Sequence, residues 1–291
     1  MLSPYFISRG VALMKRIELL INNKKVICFK KEQRNPKYNT VIILTGASTY
    51  AHNYFVFAKQ FKGAQVIIIN TPGHGFRKSL TQGKPLTDGN NLVDFQVSVI
   101  KQLIKENHST FKITLIGYSI GGMTMLNIIN RKLLDEEIGL CILISSARFT
   151  RHNKEIINGL YNKETNTFNT KSLIEKNITC KTPWYIKYLS PNWRFALPIA
   201  CYSDFLVCDS MNEISKNEIM LESNKNIIAL IGENDFFFSQ AEVTETIKYF
   251  KNRTFISLDD NGHLFLLERP IKAGKIVFKA IQEELNDFSK Y

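Results

Sequence analysis

The run Ile113-Thr114-Leu115-Ile116-Gly117-Tyr118-Ser119-Ile120-Gly121-Gly122 constrains this chain more than any other segment. An apolar strand runs directly into G-x-S-x-G, and an apolar helix follows at once. A serine in so sharp a strand-to-helix bend has a strained backbone, and a Cβ two residues to either side would strike neighbouring main chain. Gly117 and Gly121 remove those atoms. The Ser119 hydroxyl is thereby expected to stand at a helix N-terminus, where free N–H groups and the helix dipole favour developing negative charge. Glycine and serine are common in loops, so the pentapeptide acquires meaning only from its surroundings.

Those surroundings alternate. Continuous apolar runs rich in β-branched residues recur at residues 41–44, 66–69, 113–116 and 140–144, the pattern of parallel strands buried on both faces. Between them Leu92, Phe95, Val99, Ile100, Leu103 and Ile104 step by three and four along one side of a helix. The alternation predicts the α/β class: a doubly wound, mostly parallel twisted sheet with helices on both faces and right-handed crossovers. Ahead of it, residues 17–21 and 26–29 flank the polar Asn22-Asn23-Lys24-Lys25 turn and predict an antiparallel hairpin. Met14 followed by Lys15-Arg16-Ile17 resembles a natural beginning, which would make residues 1–13 a loose extension.

After Ser146 the alternation stops. Residues 148–225 read as helices and loops rich in aromatics, among them Trp184, Tyr185, Tyr188, Trp193 and Phe195. They predict a helical cap inserted between a first core part (1–147) and a second (226–291). The sheet is expected to resume at residues 227–231 and 254–258. A last helix starts near Pro270 and carries Ala273, Ile276, Val277, Ala280 and Ile281 at helical spacing.

A chain of 291 residues with 44% hydrophobic residues can bury a large core, and suits one large α/β domain with an insertion. Its formal charge of +12 is uneven, since residues 1–40 hold nine Lys or Arg against two acids. That basic hairpin suits an acidic carrier protein or an anionic lipid surface, or is only a solvated face that aids solubility. No zinc-finger spacing or aromatic-interleaved basic helix points to nucleic acid. Cys28, Cys141, Cys180, Cys201 and Cys208 form no disulfide framework or metal motif. The absence of a long apolar stretch or a good signal peptide predicts a cytoplasmic protein with no transmembrane segment.

A serine hydroxyl is a poor nucleophile at neutral pH and needs a base, and the base needs a carboxylate to hold its tautomer. Both should lie just beyond strand ends. One strand ends in Gly232-Glu233-Asn234-Asp235, and the next continues Asp259-Asp260-Asn261-Gly262-His263. The order Ser119, Asp235, His263, each member after a strand, is that of the α/β-hydrolases, and the chain resembles a capped member of that superfamily from Val41 to about Ile281. The likeness extends to Asn70-Thr71-Pro72-Gly73-His74-Gly75 and to Glu268-Arg269-Pro270.

The resemblance implies Ser119 as nucleophile, His263 as base and Asp235 as the orienting acid, although Glu233, Asp259 and Asp260 lie close by. It also implies an oxyanion hole from the Ile120 and Ala47 amides, with Gly46 letting the backbone approach. Thr45 departs from the histidine many relatives carry there. Substrate contacts are expected from Gly46, Tyr118, Phe236 and Trp184, the Phe236-Phe237-Phe238 run and the cap aromatics being equally suited to plain core. Of the other histidines, His52 suits a surface helix start or a substrate contact and His74 a structural hydrogen bond; His108 and His152 have no assigned role.

The function implied is hydrolysis of a carboxylic ester or thioester of a small to medium acyl group, through an acyl-enzyme and without metal or organic cofactor. Two alternatives stand beside it: cleavage of a carbon–carbon bond in a diketone-like substrate, and a non-catalytic relative that binds a ligand or acts as a scaffold. Dehalogenase and epoxide hydrolase chemistry is disfavoured, because those relatives place aspartate where this chain has Ser119.

Overall fold

The computed structural model of the protein describes residues 14–21, 24–33, 36, 38–75, 77–78, 83–106, 112–150, 159–177 and 194–288. The expectations for residues 1–13, the Asn22-Asn23 turn, His108, His152, Cys180, Trp184, Tyr185, Tyr188 and Trp193 lie outside the described residues.

The strands are β1 (Lys15–Ile21), β2 (Lys24–Lys31), β3 (Val41–Leu44), β4 (Val66–Ile69), β5 (Ile113–Tyr118), β6 (Ile138–Ile144), β7 (Tyr161–Asn162), β8 (Thr167–Phe168), β9 (Ser223–Gly232) and β10 (Phe250–Leu258). All except β7 and β8 build one eight-stranded sheet in the order β1-β2-β4-β3-β5-β6-β9-β10. The hairpin β1–β2 is antiparallel and joins β4 antiparallel; from β4 to β10 every neighbour is parallel. The helices are α1 (Phe55–Ala58), α2 (Gly89–Glu106), α3 (Ile120–Asn130), α4 (Thr170–Asn177), α5 (Pro198–Asn217), α6 (Gln240–Ile247), α7 (Phe265–Glu268) and α8 (Pro270–Phe288).

Side chains alternate across each strand, so an all-apolar strand feeds two cores at once. Ile42 and Leu44 of β3 join the layer that holds Leu92 and Ile100 of α2 and Met123 and Leu126 of α3. Val41 and Ile43 join the opposite layer with Phe57 of α1 and Val277 of α8. Each such side chain, removed from water, contributes about 1.5 to 3 kcal/mol before chain entropy is set against it. The two layers clamp the central strands, and the C-terminal ends of β5, β9 and β10 deliver Ser119, Asp235 and His263 to one rim of the sheet.

Three local expectations differ from the structure. The segment between β6 and β9, expected as helices and loops, also contains the two-stranded ribbon β7–β8, turned by Lys163-Glu164-Thr165-Asn166 with Asn166 at φ 49°. Strands β9 and β10 begin at Ser223 and Phe250, ahead of their apolar stretches. Lys251, Asn252 and Arg253 are exposed, so hydrophobicity alone does not mark these beginnings. The basic hairpin is partly neutralised: Lys15 pairs with Glu32, and Arg16 and Lys25 pair with Glu18. Lys31 leaves the surface altogether, because its amine donates to the Phe61 carbonyl inside the fold and burial lowers its pKa to about 8.

Candidate active site

Strand β5 ends at Tyr118 and α3 begins at Ile120, leaving Ser119 alone in the bend at φ 53° and ψ −121°. A serine in this region is strained by roughly 1 to 3 kcal/mol and persists only where its surroundings enforce it. They do so here. The Ser119 N–H donates to the Ile144 carbonyl at 3.0 Å, and the Ser119 carbonyl accepts from Ser146 Oγ at 2.8 Å and from the Gly122 N–H at 2.8 Å. A Cβ on Gly117 would lie 2.6 Å from the Gly121 carbonyl oxygen, and one on Gly121 would collide with the Leu44 carbonyl. Only glycine lets β5, α3 and the end of β3 converge this closely.

The turn after β9 carries Asp235. Its Oδ1 accepts from the Phe237 and Phe238 N–H groups at 2.9 and 3.1 Å, which locks the carboxylate against its own turn. His263 Nδ1 lies 3.0 Å from both Asp235 oxygens, and His263 Nε2 lies 3.0 Å from Ser119 Oγ. A carboxylate only accepts, so Nδ1 carries the ring hydrogen and Nε2 is left to accept the serine proton. His263 and Ser119 are both buried, and the ring stacks against Tyr118 and Phe238 with Phe237 at 4.6 Å. Tyr118 also donates its hydroxyl to the His263 carbonyl at 2.9 Å. Glu233, Asp259 and Asp260 are exposed, and of the candidate acids Asp235 alone is hydrogen-bonded to His263 among the described residues.

A cavity opens beside Ser119. Its walls come from Ala47, Ser48, Tyr118, Phe237, Phe238 and Leu264 of the core, and from Thr150, Leu173, Phe195, Phe205 and Cys208 of the segment between β6 and β9. Of the side chains expected to touch substrate, Tyr118 lines this cavity. Gly46 and Phe236 do not, and Trp184 lies outside the described residues. Gly46 sits behind the wall, where a Cβ would meet Tyr118 Cδ1 at 2.5 Å, and its N–H donates to the Tyr54 hydroxyl at 2.7 Å. Phe236 is displaced because the Asp235 turn points the two following rings inward, leaving Phe236 half-buried against Phe237.

The alpha/beta hydrolase fold family matches residues 39–270. The chain belongs to that family. No curated protein sequence matches it. Solved structures do. An alpha/beta hydrolase fold protein from Chitinophaga pinensis has a TM-score of 0.71 at 13% identity, over 93% of this chain and 98% of that one. A thermophilic esterase from Thermogutta terrifontis has a TM-score of 0.69 at 15% identity, over 94% and 98%. An esterase from Exiguobacterium antarcticum has a TM-score of 0.69 at 13% identity, over 91% and 98%. At these identities the likeness is one of fold.

In this alpha/beta hydrolase the loop after β3 faces Ser119. Among the described residues, neither the Ala47 nor the Ile120 N–H meets a hydrogen-bond acceptor. Thr45, the departure from the family's common histidine, packs its Oγ1 3.2 Å from Thr71 Oγ1 and so ties this loop to the one after β4. His52 lies apart from the cavity, among Phe29, Tyr50 and Phe55, and burial lowers its pKa.

His74 makes the structural bond expected of it, with a partner that sequence reasoning missed: Asp204 of α5, whose Oδ2 lies 2.8 Å from Nε2. Both residues are buried. A signal was present, since Asp204 stands in a helix whose neighbours Ala200, Cys201, Phe205 and Cys208 are all apolar. Burial by itself lowers the His74 pKa, but the charge and hydrogen bond of Asp204, together with backbone hydrogen bonds to Pro72 and Thr71, outweigh it and carry the value above the ordinary 6.5. A folded-state pKa above the unfolded one stabilises the fold fully below the unfolded value, and that stability is lost as pH rises through the folded value. Melting temperatures measured from pH 6 to pH 9 should therefore fall in the wild type more steeply than in His74→Gln. Equal slopes would remove His74 from the pH dependence.

Proposed function

We propose that the protein is a serine hydrolase that cleaves carboxylic esters or thioesters of small to medium, neutral acyl groups. The observation that carries this reading is His263, within hydrogen-bonding distance of both Ser119 and Asp235 in the wall of an apolar cavity. Ser119 Oγ attacks the acyl carbon while its proton passes to His263 Nε2. Asp235 holds the ring tautomer and stabilises the imidazolium. The carbonyl oxygen becomes an oxyanion that the Ile120 and Ala47 N–H groups receive. His263 then returns the proton to the departing alkoxide or thiolate, leaving an acyl-Ser119 ester. Water, deprotonated by the same histidine, releases the acid and restores the serine.

The segment from residue 148 to the start of β9 acts in this reading as a cap over the acyl group, since Leu173, Phe195, Phe205 and Cys208 contribute apolar wall. The imidazole aside, the described wall has no ionisable group that stays charged near neutrality, which suits a neutral acyl chain better than a dicarboxylic one. No helix among the described residues is long and apolar enough to cross a membrane.

The test has two parts. A fluorophosphonate probe should label the wild type and spare Ser119→Ala. A series of nitrophenyl esters and acyl thioesters of increasing chain length should then be turned over, with neutral chains preferred to carboxylate-ended ones. Absence of labelling would favour a ligand-binding relative, and turnover of a vinylogous diketone without ester cleavage would favour carbon–carbon hydrolysis.

A further inference from the structure

The Ser119 cavity has a neighbour that its chemistry does not use directly. Asp204 does not line the cavity, yet its Oδ2 accepts the Ser48 N–H at 2.6 Å as well as bonding His74 Nε2. The other ring nitrogen of His74, Nδ1, lies 2.9 Å from the Pro72 carbonyl. A carboxylate and a carbonyl both only accept, so beside an ionised Asp204 both ring nitrogens carry hydrogen and His74 is an imidazolium, the form toward which Asp204 shifts it. That pair faces the one residue of the loop that most needs holding. Ser48 has φ 61°, in the left-handed region that a non-glycine residue adopts only under constraint. Its carbonyl is held too, by the Ala196 N–H at 2.8 Å, just ahead of α5. The insertion therefore grips both sides of Ser48, and Ser48 directly follows Ala47.

We propose that Asp204 is a positioning residue for the hydrolysis: through the Ser48 N–H it holds the strained turn that aims the Ala47 N–H at the oxyanion. This rests on the hydrolase reading above. An oxyanion donor acts only when pre-aimed at the position where charge develops, so a small swing of the Ala47 peptide weakens transition-state binding and spares ground-state binding. Asp204 touches neither substrate nor nucleophile; its influence is transmitted by one backbone hydrogen bond.

The experiment compares Asp204→Ala, Asp204→Leu, Asp204→Asn, Ser48→Gly and the Ser48→Gly/Asp204→Ala pair in the full-length protein. The readouts are kcat and KM on a neutral ester, affinity for a trifluoromethyl ketone that forms a tetrahedral adduct, and melting temperature. Deleting an oxyanion donor outright costs about 10^2 to 10^3 in kcat, so mis-aiming one should lower kcat on the order of 10- to 100-fold. The same factor should appear in trifluoromethyl ketone affinity, with KM within about twofold of wild type. Asp204→Asn keeps an acceptor for the Ser48 N–H and should restore most of the rate. Glycine takes a positive φ without constraint, so the Asp204→Ala loss should be smaller in the Ser48→Gly background. Asp204→Leu, which packs apolar volume into the site without an acceptor, provides the same comparison if the alanine variant does not fold.

Wild-type kcat and inhibitor affinity in Asp204→Ala and Asp204→Leu would overturn the proposal. So would a loss equal in both Ser48 backgrounds, which would make Asp204 a structural anchor only. A wild type that neither reacts with the fluorophosphonate nor cleaves esters fails at the hydrolase reading and takes this proposal with it. An active wild type with a Ser48-independent loss fails here alone.

Discussion

Ser119→Ala should abolish turnover while leaving the fold intact, with kcat lowered on the order of 10^5- to 10^6-fold. The substitution removes one hydroxyl oxygen and nothing that holds the elbow. The Ile144 carbonyl still accepts the residue 119 N–H, and Ser146 Oγ still donates to its carbonyl. Alanine is no worse than serine at a positive φ, so melting temperature should move little. The measurement is ester turnover in a preparation free of host esterases, alongside thermal melts. Wild-type rates in the variant would dismiss Ser119 as nucleophile.

Asp235→Asn should cost nearly as much, about 10^4-fold in kcat, although it changes hardly any volume. Oδ1 is held by the Phe237 and Phe238 N–H groups, so the asparagine oxygen is drawn to that position and its amide NH2 to the other. That amide would donate toward His263 Nδ1, where the native carboxylate accepts. The imidazole is then pushed toward the tautomer with hydrogen on Nε2, facing Ser119 Oγ with a donor where an acceptor is required. The Ser119→Ala/Asp235→Asn double variant should be no slower than Ser119→Ala, because the two residues serve one proton transfer. A multiplicative loss would show that Asp235 also acts elsewhere.

The sequence was most legible where a physical requirement is local. Buried parallel strands must be apolar on both faces, so β3 and β4 were readable to the residue and β5 and β6 to within two, and the strands ending before Asp235 and His263 pointed to a candidate site once read with the resemblance to the α/β-hydrolases. Strand beginnings were less legible wherever an edge is solvated, as in the Lys251-Asn252-Arg253 start of β10. The Phe236-Phe237-Phe238 run shows a different limit. Composition places an aromatic wall near the acid, but which rings turn inward depends on hydrogen bonds that Asp235 makes to its own turn. Lys31 and Asp204 show a third. Asp204 is a charged residue among apolar neighbours, a visible anomaly, whereas Lys31 stands between Lys30 and Glu32 and gives no such signal; the groups they bond, the Phe61 carbonyl for Lys31 and His74 and the Ser48 N–H for Asp204, are remote in sequence.

The position of the segment between β6 and β9 also bears on the order in which the molecule is made. Leu140 of β6 pairs with Asn226 of β9 across the whole segment between those strands, so this pairing closes a long loop and is among the entropically expensive contacts of folding. The bonds that shape the Ser119 bend come from Ile144, Ser146 and Gly122, all synthesised before the segment that leads to β9. Asp235 and His263 reach the rim only with β9 and β10. The groups that bond the Ser119 bend thus precede Asp235 and His263 in the chain, and under the proposed reading the serine meets its base only once β9 and β10 are in place.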